Sequence, residues 1–208
     1  MLNLAYNFNL GVADDGSVAA ITNNLDNTRS ETFIYDALNR IQSAQTQSPT
    51  GWGLAYNYDT LGNLLTATVT QGTATPLSVS VNGNNQIVGY TYDAAGNLTR
   101  DFSNTYQYDA EGRVKSAAGA TYLYDGDGKR VAKSPGKLYW YGMNGAPLTE
   151  TDLTGNNAVD YVFFGGERIA RNTAGSVDYY FEDHLGSARV VTNSSGTILD
   201  DSDFYPFG

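Results

Sequence analysis

Aromatic and polar residues alternate in short runs along this chain, and five of the runs stop at an Asp. Tyr56-Asn57-Tyr58, Tyr90-Thr91-Tyr92 and Tyr106-Gln107-Tyr108 each place two tyrosines at i and i+2. A strand turns such a pair to one face, because successive side chains point to opposite sides. The Asp opens a turn, since its carboxylate can accept the backbone N–H two residues on. Three residues later comes Gly, or Asn39 in the first run, the residue types that best tolerate a positive φ. A polar-then-apolar pair such as Asn63-Leu64, Asn97-Leu98 or Arg113-Val114 then begins a second strand. Each unit therefore predicts a β-hairpin with a bulge beside the Gly.

The five predicted turns run from Asp36 to Asn39, Asp59 to Gly62, Asp93 to Gly96, Asp109 to Gly112 and Asp125 to Gly128. Tyr92, Tyr108 and Tyr124 stand 16 residues apart, room for two short strands and two tight connections. The spacing widens to 23 residues between Tyr35 and Tyr58 and to 34 between Tyr58 and Tyr92. A repeat says that one small unit is used many times, and such units build surfaces or containers more readily than a catalytic cleft. No window carries the i, i+3, i+4, i+7 apolar spacing of a helix. The expected fold is all-β: repeated antiparallel hairpins in one continuous domain. Residues 1–131 are the hairpin array and 132–208 continue it.

Composition narrows the partners. The net charge is −10, from 22 acidic and 12 scattered basic residues, so no phosphate-binding face is expected and nucleic acid is excluded as a partner. No apolar run approaches the ~18 residues of a spanning helix, so membrane insertion is not expected either. With no Cys, no disulfide contributes.

Candidate chemistry is sparse. His184 is the sole histidine, which rules out a multi-histidine metal site; the expected role is a packed side chain bonded to a neighbouring strand or turn. Arg189 is expected to pair with Glu182 or Asp183. Asp125-Gly126-Asp127-Gly128-Lys129 has a superficial likeness to a calcium loop. Lys129 and Gly136 occupy the fifth and twelfth positions, where oxygen ligands are required, so no metal or other cofactor is expected. Asp200, Asp201 and Asp203 read as a solvated turn. The five turn aspartates recur once per unit, which speaks for a structural role. A row of exposed tyrosines leaves carbohydrate open as a partner.

The repeated Tyr-Asp units resemble the YD repeats of bacterial Rhs proteins, of the C components of insecticidal toxin complexes and of animal teneurins. The segment from Tyr179 to Thr192, with Asp183, His184, Leu185, Gly186 and Arg189, looks like the opening of the Rhs-associated core. Gly196-Thr197-Ile198 and then Tyr205-Pro206-Phe207-Gly208 resemble its continuation. The resemblance implies a sheet of hairpins spiralling into a hollow shell around a C-terminal passenger polypeptide, in a secreted or cell-surface protein. It implies a structural, non-enzymatic module, because the family's self-cleavage segment follows the Pro-Phe-Gly. A surface adhesin or carbohydrate-binding module is the alternative. Strands at the ends of such a stretch are expected to have open edges that invite self-association.

Overall fold

The computed structural model describes residues 2–11, 15–143 and 145–207. The first sheet holds β1 (Leu4–Asn7), β2 (Ala20–Asn23), β3 (Glu31–Tyr35), β4 (Ile41–Thr46), β5 (Gly53–Tyr58), β6 (Leu64–Gln71) and β7 (Leu77–Ser78). A two-stranded sheet follows, of β8 (Thr91–Tyr92) and β9 (Leu98–Arg100). The third sheet begins with β10 (Tyr106–Tyr108), β11 (Val114–Ala117), β12 (Ala120–Tyr124), β13 (Arg130–Ser134), β14 (Lys137–Tyr141) and β15 (Pro147–Thr151). It ends with β16 (Val159–Phe164), β17 (Glu167–Thr173), β18 (Ser176–Glu182), β19 (Ala188–Asn193) and β20 (Ile198–Asp201). Within each sheet every strand pairs with its neighbour in sequence, and the pairings are antiparallel. The fold is all-β, interrupted among the described residues by one 3-10 turn at Asn27–Arg29.

The ladder is not continuous. Residues 79–90 are spent on a further turn at Asn82, and lone bridges pair Val81 with Ile87 and Arg100 with Thr105. The chain divides into two compact units, residues 1–88 with 203–208, and residues 89–202. The 131/132 boundary read from sequence falls inside β13, where no break occurs.

The bulge also differs from expectation. It recurs six residues after the first turn residue, three beyond the Gly, at Gln42, Leu65, Thr99, Lys115, Val131, Leu148, Arg189 and Leu199. The Gly is fully used by the turn itself, so the extra residue is absorbed in the returning strand.

The first unit has a defined core, formed by one face of its sheet. Phe33 stands opposite Ala44, Ala44 opposite Leu54, and Tyr56 opposite Ala67. Small residues between large ones let the row close, and Ala44, Leu54, Tyr56 and Ala67 are all buried. Ile41, Trp52, Tyr58, Leu64, Ala74 and Tyr205 pack around them. Gly72 is required beside this core: its φ is +53°, and a Cβ would stand 1.6 Å from the Gly51 carbonyl oxygen.

In the second unit, the register of the third sheet sorts its residues onto two faces. One carries Tyr122, Tyr139, Tyr161 and Tyr180 with Arg130 and Arg168 between them. Arg130 lies 5.6 and 4.6 Å from the Tyr122 and Tyr139 ring centroids, and Arg168 lies 5.3 and 4.4 Å from those of Tyr161 and Tyr180. The other face carries Leu123, Trp140, Val162, Phe164, Tyr179 and Phe181, all exposed.

Candidate functional site: turn cassettes and the tyrosine seam

The recurring site is a five-residue cassette. In the first copy the Asp36 N–H donates to the Arg40 carbonyl at 2.9 Å, and the Asn39 N–H donates to the Asp36 carbonyl at 3.0 Å. One carboxylate oxygen, Asp36 Oδ1, accepts from the N–H of Leu38 at 2.8 Å and of Arg40 at 3.0 Å. The same four bonds form at Asp59, Asp93, Asp109 and Asp125. They also form at four places the sequence reading passed over: Asn82, Asp152, Asp183 and Asn193. The signal that would have found them is an Asp or Asn followed three residues later by Gly or Asn, without requiring Tyr-Asp. The fourth residue always has positive φ, for example 57° at Asn39, 87° at Gly96 and 75° at Gly112.

The second carboxylate oxygen ties the turn to the residue after the Gly. Asp36 Oδ2 accepts from Arg40 Nε at 2.8 Å, and Asp109 Oδ2 from Arg113 Nε at 2.7 Å. Asn63 and Asn97 donate to Asp59 and Asp93 in the same way. The Arg40 side-chain bond holds the Asp36 carboxyl below its ordinary value, and Asn63 and Asn97 do the same for Asp59 and Asp93. At Asp109 the Arg113 backbone N–H is the leading cause. Asp152 is brought down to about 2, chiefly by the Thr154 side chain.

The cassette also reaches the next hairpin. The Arg40 guanidinium sits 4.5 Å from the Tyr58 ring centroid, and Arg113 sits 4.9 Å from that of Tyr124. At four seams the tyrosine just before a turn donates its hydroxyl to a carbonyl five residues past the start of the preceding turn. Tyr58 reaches Ile41 at 2.7 Å, Tyr108 reaches Leu98 at 2.9 Å, Tyr124 reaches Val114 at 2.8 Å and Tyr141 reaches Arg130 at 2.8 Å. This explains why Tyr precedes the Asp: the ring packs and the hydroxyl locks two units together. Tyr56 is a different case. It is buried, its hydroxyl makes no hydrogen bond, and burial pushes its pKa up to about 12. Tyr58→Phe is therefore expected to cost about 1 kcal/mol. Tyr56→Phe should be neutral or stabilising, as denaturant titration of the two variants will read directly.

The Asp183 turn bends the pattern. Ser187 occupies the slot of Arg40 and is too short to reach back. Arg189, at the bulge two residues on, brings Nη1 to 3.8 Å from Asp183 Oδ2, with both side chains nearly buried. His184 and Leu185 are exposed at the turn crest. His184 is therefore exposed rather than packed as expected, at the second position of the turn. Asp200 and Asp201 lie on the exposed strand β20, not in a turn. Asp203 makes a two-pronged pair with Arg29, at 2.6 Å to Nε and 2.9 Å to Nη2. Tyr205 meets Trp52 edge-on with centroids 5.1 Å apart, and Phe207 meets Tyr56 likewise at 5.1 Å. Pro206 is half-buried between them, and Gly208 lies outside the described residues.

A shallow groove of about 560 Å³ runs between two cassettes, lined by Asp93, Asn97, Tyr106, Tyr108, Asp109 and Lys115. Asp93 and Asp109 already accept hydrogen bonds on both carboxylate oxygens from their own turns, which leaves the groove little with which to grip a polar ligand. Among the described residues no group of three His, Cys, Asp or Glu side chains is placed to hold a metal ion.

Fold and site together define a repeat protein whose cassettes build and fasten a sheet. The chain belongs to the Teneurin YD-shell family, whose model matches residues 12–181. A comparison with curated proteins finds no match. Among solved structures, a Photorhabdus luminescens Tc holotoxin pore with a mutated TccC3 is similar at 19% identity and a TM-score of 0.77. A TcdB2-TccC3-Cdc42 crystal structure is similar at 18% and 0.76, and TcdB2-TccC3 without its hypervariable C-terminal region at 19% and 0.75. In all three the alignment covers 100% of this chain and 13% of the other, so this chain spans a small part of the length of the proteins it matches.

Proposed function

We propose that this chain is a non-enzymatic segment of a YD-repeat shell, in a secreted or extracellular protein, and that its sheet shelters a passenger polypeptide. The observation that carries this reading is the exposed apolar face of the third sheet, where Trp140 is 53% and Phe181 is 41% exposed. An apolar patch on a sheet otherwise fastened by polar cassettes marks a surface made to be covered. An extended chain without fixed side-chain geometry is a natural cover, since burial of apolar area is non-directional. Family membership and the fold shared with the TccC3-containing structures support the same reading.

The test is retention of a permanently unfolded probe, a reduced and carboxymethylated polypeptide, by the 208-residue chain. Trp140→Lys with Phe181→Lys should weaken retention by about tenfold or more, because both side chains lose apolar contact. Both positions are exposed, so the fold survives. Failure of the unaltered chain to hold the probe, or equal retention by the double variant, overturns the reading.

A further inference from the structure

At the Tyr58, Tyr108, Tyr124 and Tyr141 seams the residue before the turn supplies a hydroxyl donor to the preceding hairpin, but before Asp183 that slot is filled by Glu182. A carboxylate has no proton to donate, whereas a neutral carboxyl has one. The preceding hairpin here closes at Gly165-Gly166, with Phe164 opposite Glu167. This brings a second carboxyl to the seam: Glu167 Oε2 and Glu182 Oε2 each lie 3.8 Å from the point where a Cβ on Gly186 would stand. Both line a cavity of about 380 Å³ with Arg168, Ile169, Tyr180, Asp183 and His184.

We infer that Glu182 and Glu167 form an acid-held fastener, in which one shared proton does the work that a tyrosine hydroxyl does at the Tyr58, Tyr108, Tyr124 and Tyr141 seams. With the proton present, the carboxyl donates to its neighbour and the two hairpins are joined. Without it, two like charges face each other and the seam loosens. The other charged groups around the pair are Arg168, Asp183 and His184. Arg168 is held between Tyr161 and Tyr180, and Asp183 is turned toward Arg189 and its own turn. His184 is exposed at the crest.

Burial, then the bond to Glu167 and its charge, raise the Glu182 pKa above its ordinary 4.5, against a smaller opposing effect of Arg168. A raised carboxyl pKa contributes stability that is complete below the unfolded value and is lost as pH rises through the folded value. The window therefore opens above pH 4.5. The turn aspartates do not interfere there, since their own shifts act below the ordinary aspartate value of 3.8.

Thermal midpoints of the unaltered chain and of Glu182→Gln, taken from pH 4.5 to 7.5, test this. The midpoint of the unaltered chain should fall relative to the variant by about 2 °C or more across that range. Glu167→Gln should remove the same dependence, and the double variant should add nothing further. A difference that stays constant with pH overturns the inference. Should a variant fail to fold, carbon NMR titration of the Glu182 carboxyl in the unaltered chain decides. A midpoint above 4.5 supports the fastener, and one at or below it overturns it.

Discussion

Leu54→Ala is expected to lower the stability of the first unit by about 2–5 kcal/mol, the range for emptying a buried aliphatic site. Leu54 is 3% exposed and lies between Ala44 and Val69 in the middle of the sheet. Its neighbours cannot collapse into the gap, because β4 and β6 are hydrogen-bonded to β5 on both sides and the flanking side chain on β4 is already an alanine. Leu123→Ala removes the same atoms from an exposed position and should change stability by no more than about 0.5 kcal/mol. Urea unfolding followed through Trp52, in a Trp140→Phe background, reports on the affected unit. Equal losses from the two leucines would contradict the assignment of the core.

Acid should unfold this protein through its turns, with the midpoint of thermal unfolding falling steeply between about pH 4 and 2. Asp36, Asp59, Asp93 and Asp109 are held below 3.8, and Asp101 and Asp152 down to about 2. A depressed carboxyl pKa gives stability that is present above the unfolded value and lost as pH falls through the folded one. The cassettes at Asp36, Asp59, Asp93, Asp109 and Asp152 each depend on a carboxylate accepting several hydrogen bonds, so protonation weakens these hairpins over the same interval. Asp59→Asn keeps the Oδ1 acceptor, as Asn82 and Asn193 do in their own turns, and should blunt part of the fall. Circular dichroism melts at half-unit pH steps measure it. A midpoint that holds steady down to pH 2 would show that the turn carboxylates do not support the fold.

Hairpins were legible because Asp and Gly do separate jobs at fixed spacing, one accepting backbone N–H groups and the other admitting a positive φ. The passed-over cassettes lack the aromatic prefix or the acid. Thr151 precedes Asp152, Glu182 precedes Asp183, and asparagine replaces aspartate at Asn82 and Asn193. Which face becomes core was not legible, since both faces of most strands carry apolar residues and alternation assigns faces without ranking them. The placement of Tyr205 and Phe207 was also hidden. Nothing local in Phe204-Tyr205-Pro206-Phe207 names Trp52 or Tyr56 as its partner. The bulge was misplaced for a simpler reason: it is defined by register between strands, and register is not a property of either strand alone.

The tail has a consequence for how the chain reaches this fold. Strand pairings join sequence neighbours, so hairpins can zip up in order, each closing a short loop at low entropic cost. The bond from Arg29 to Asp203 spans 174 residues and cannot form until the third sheet has been synthesised. Docking of the tail on Trp52 and Tyr56 is thus a late event that follows assembly of the sheets. The first unit therefore waits with part of its aromatic face uncovered until residues 203–207 follow the whole of the second unit, so its earliest core is closed by a segment made after 89–202.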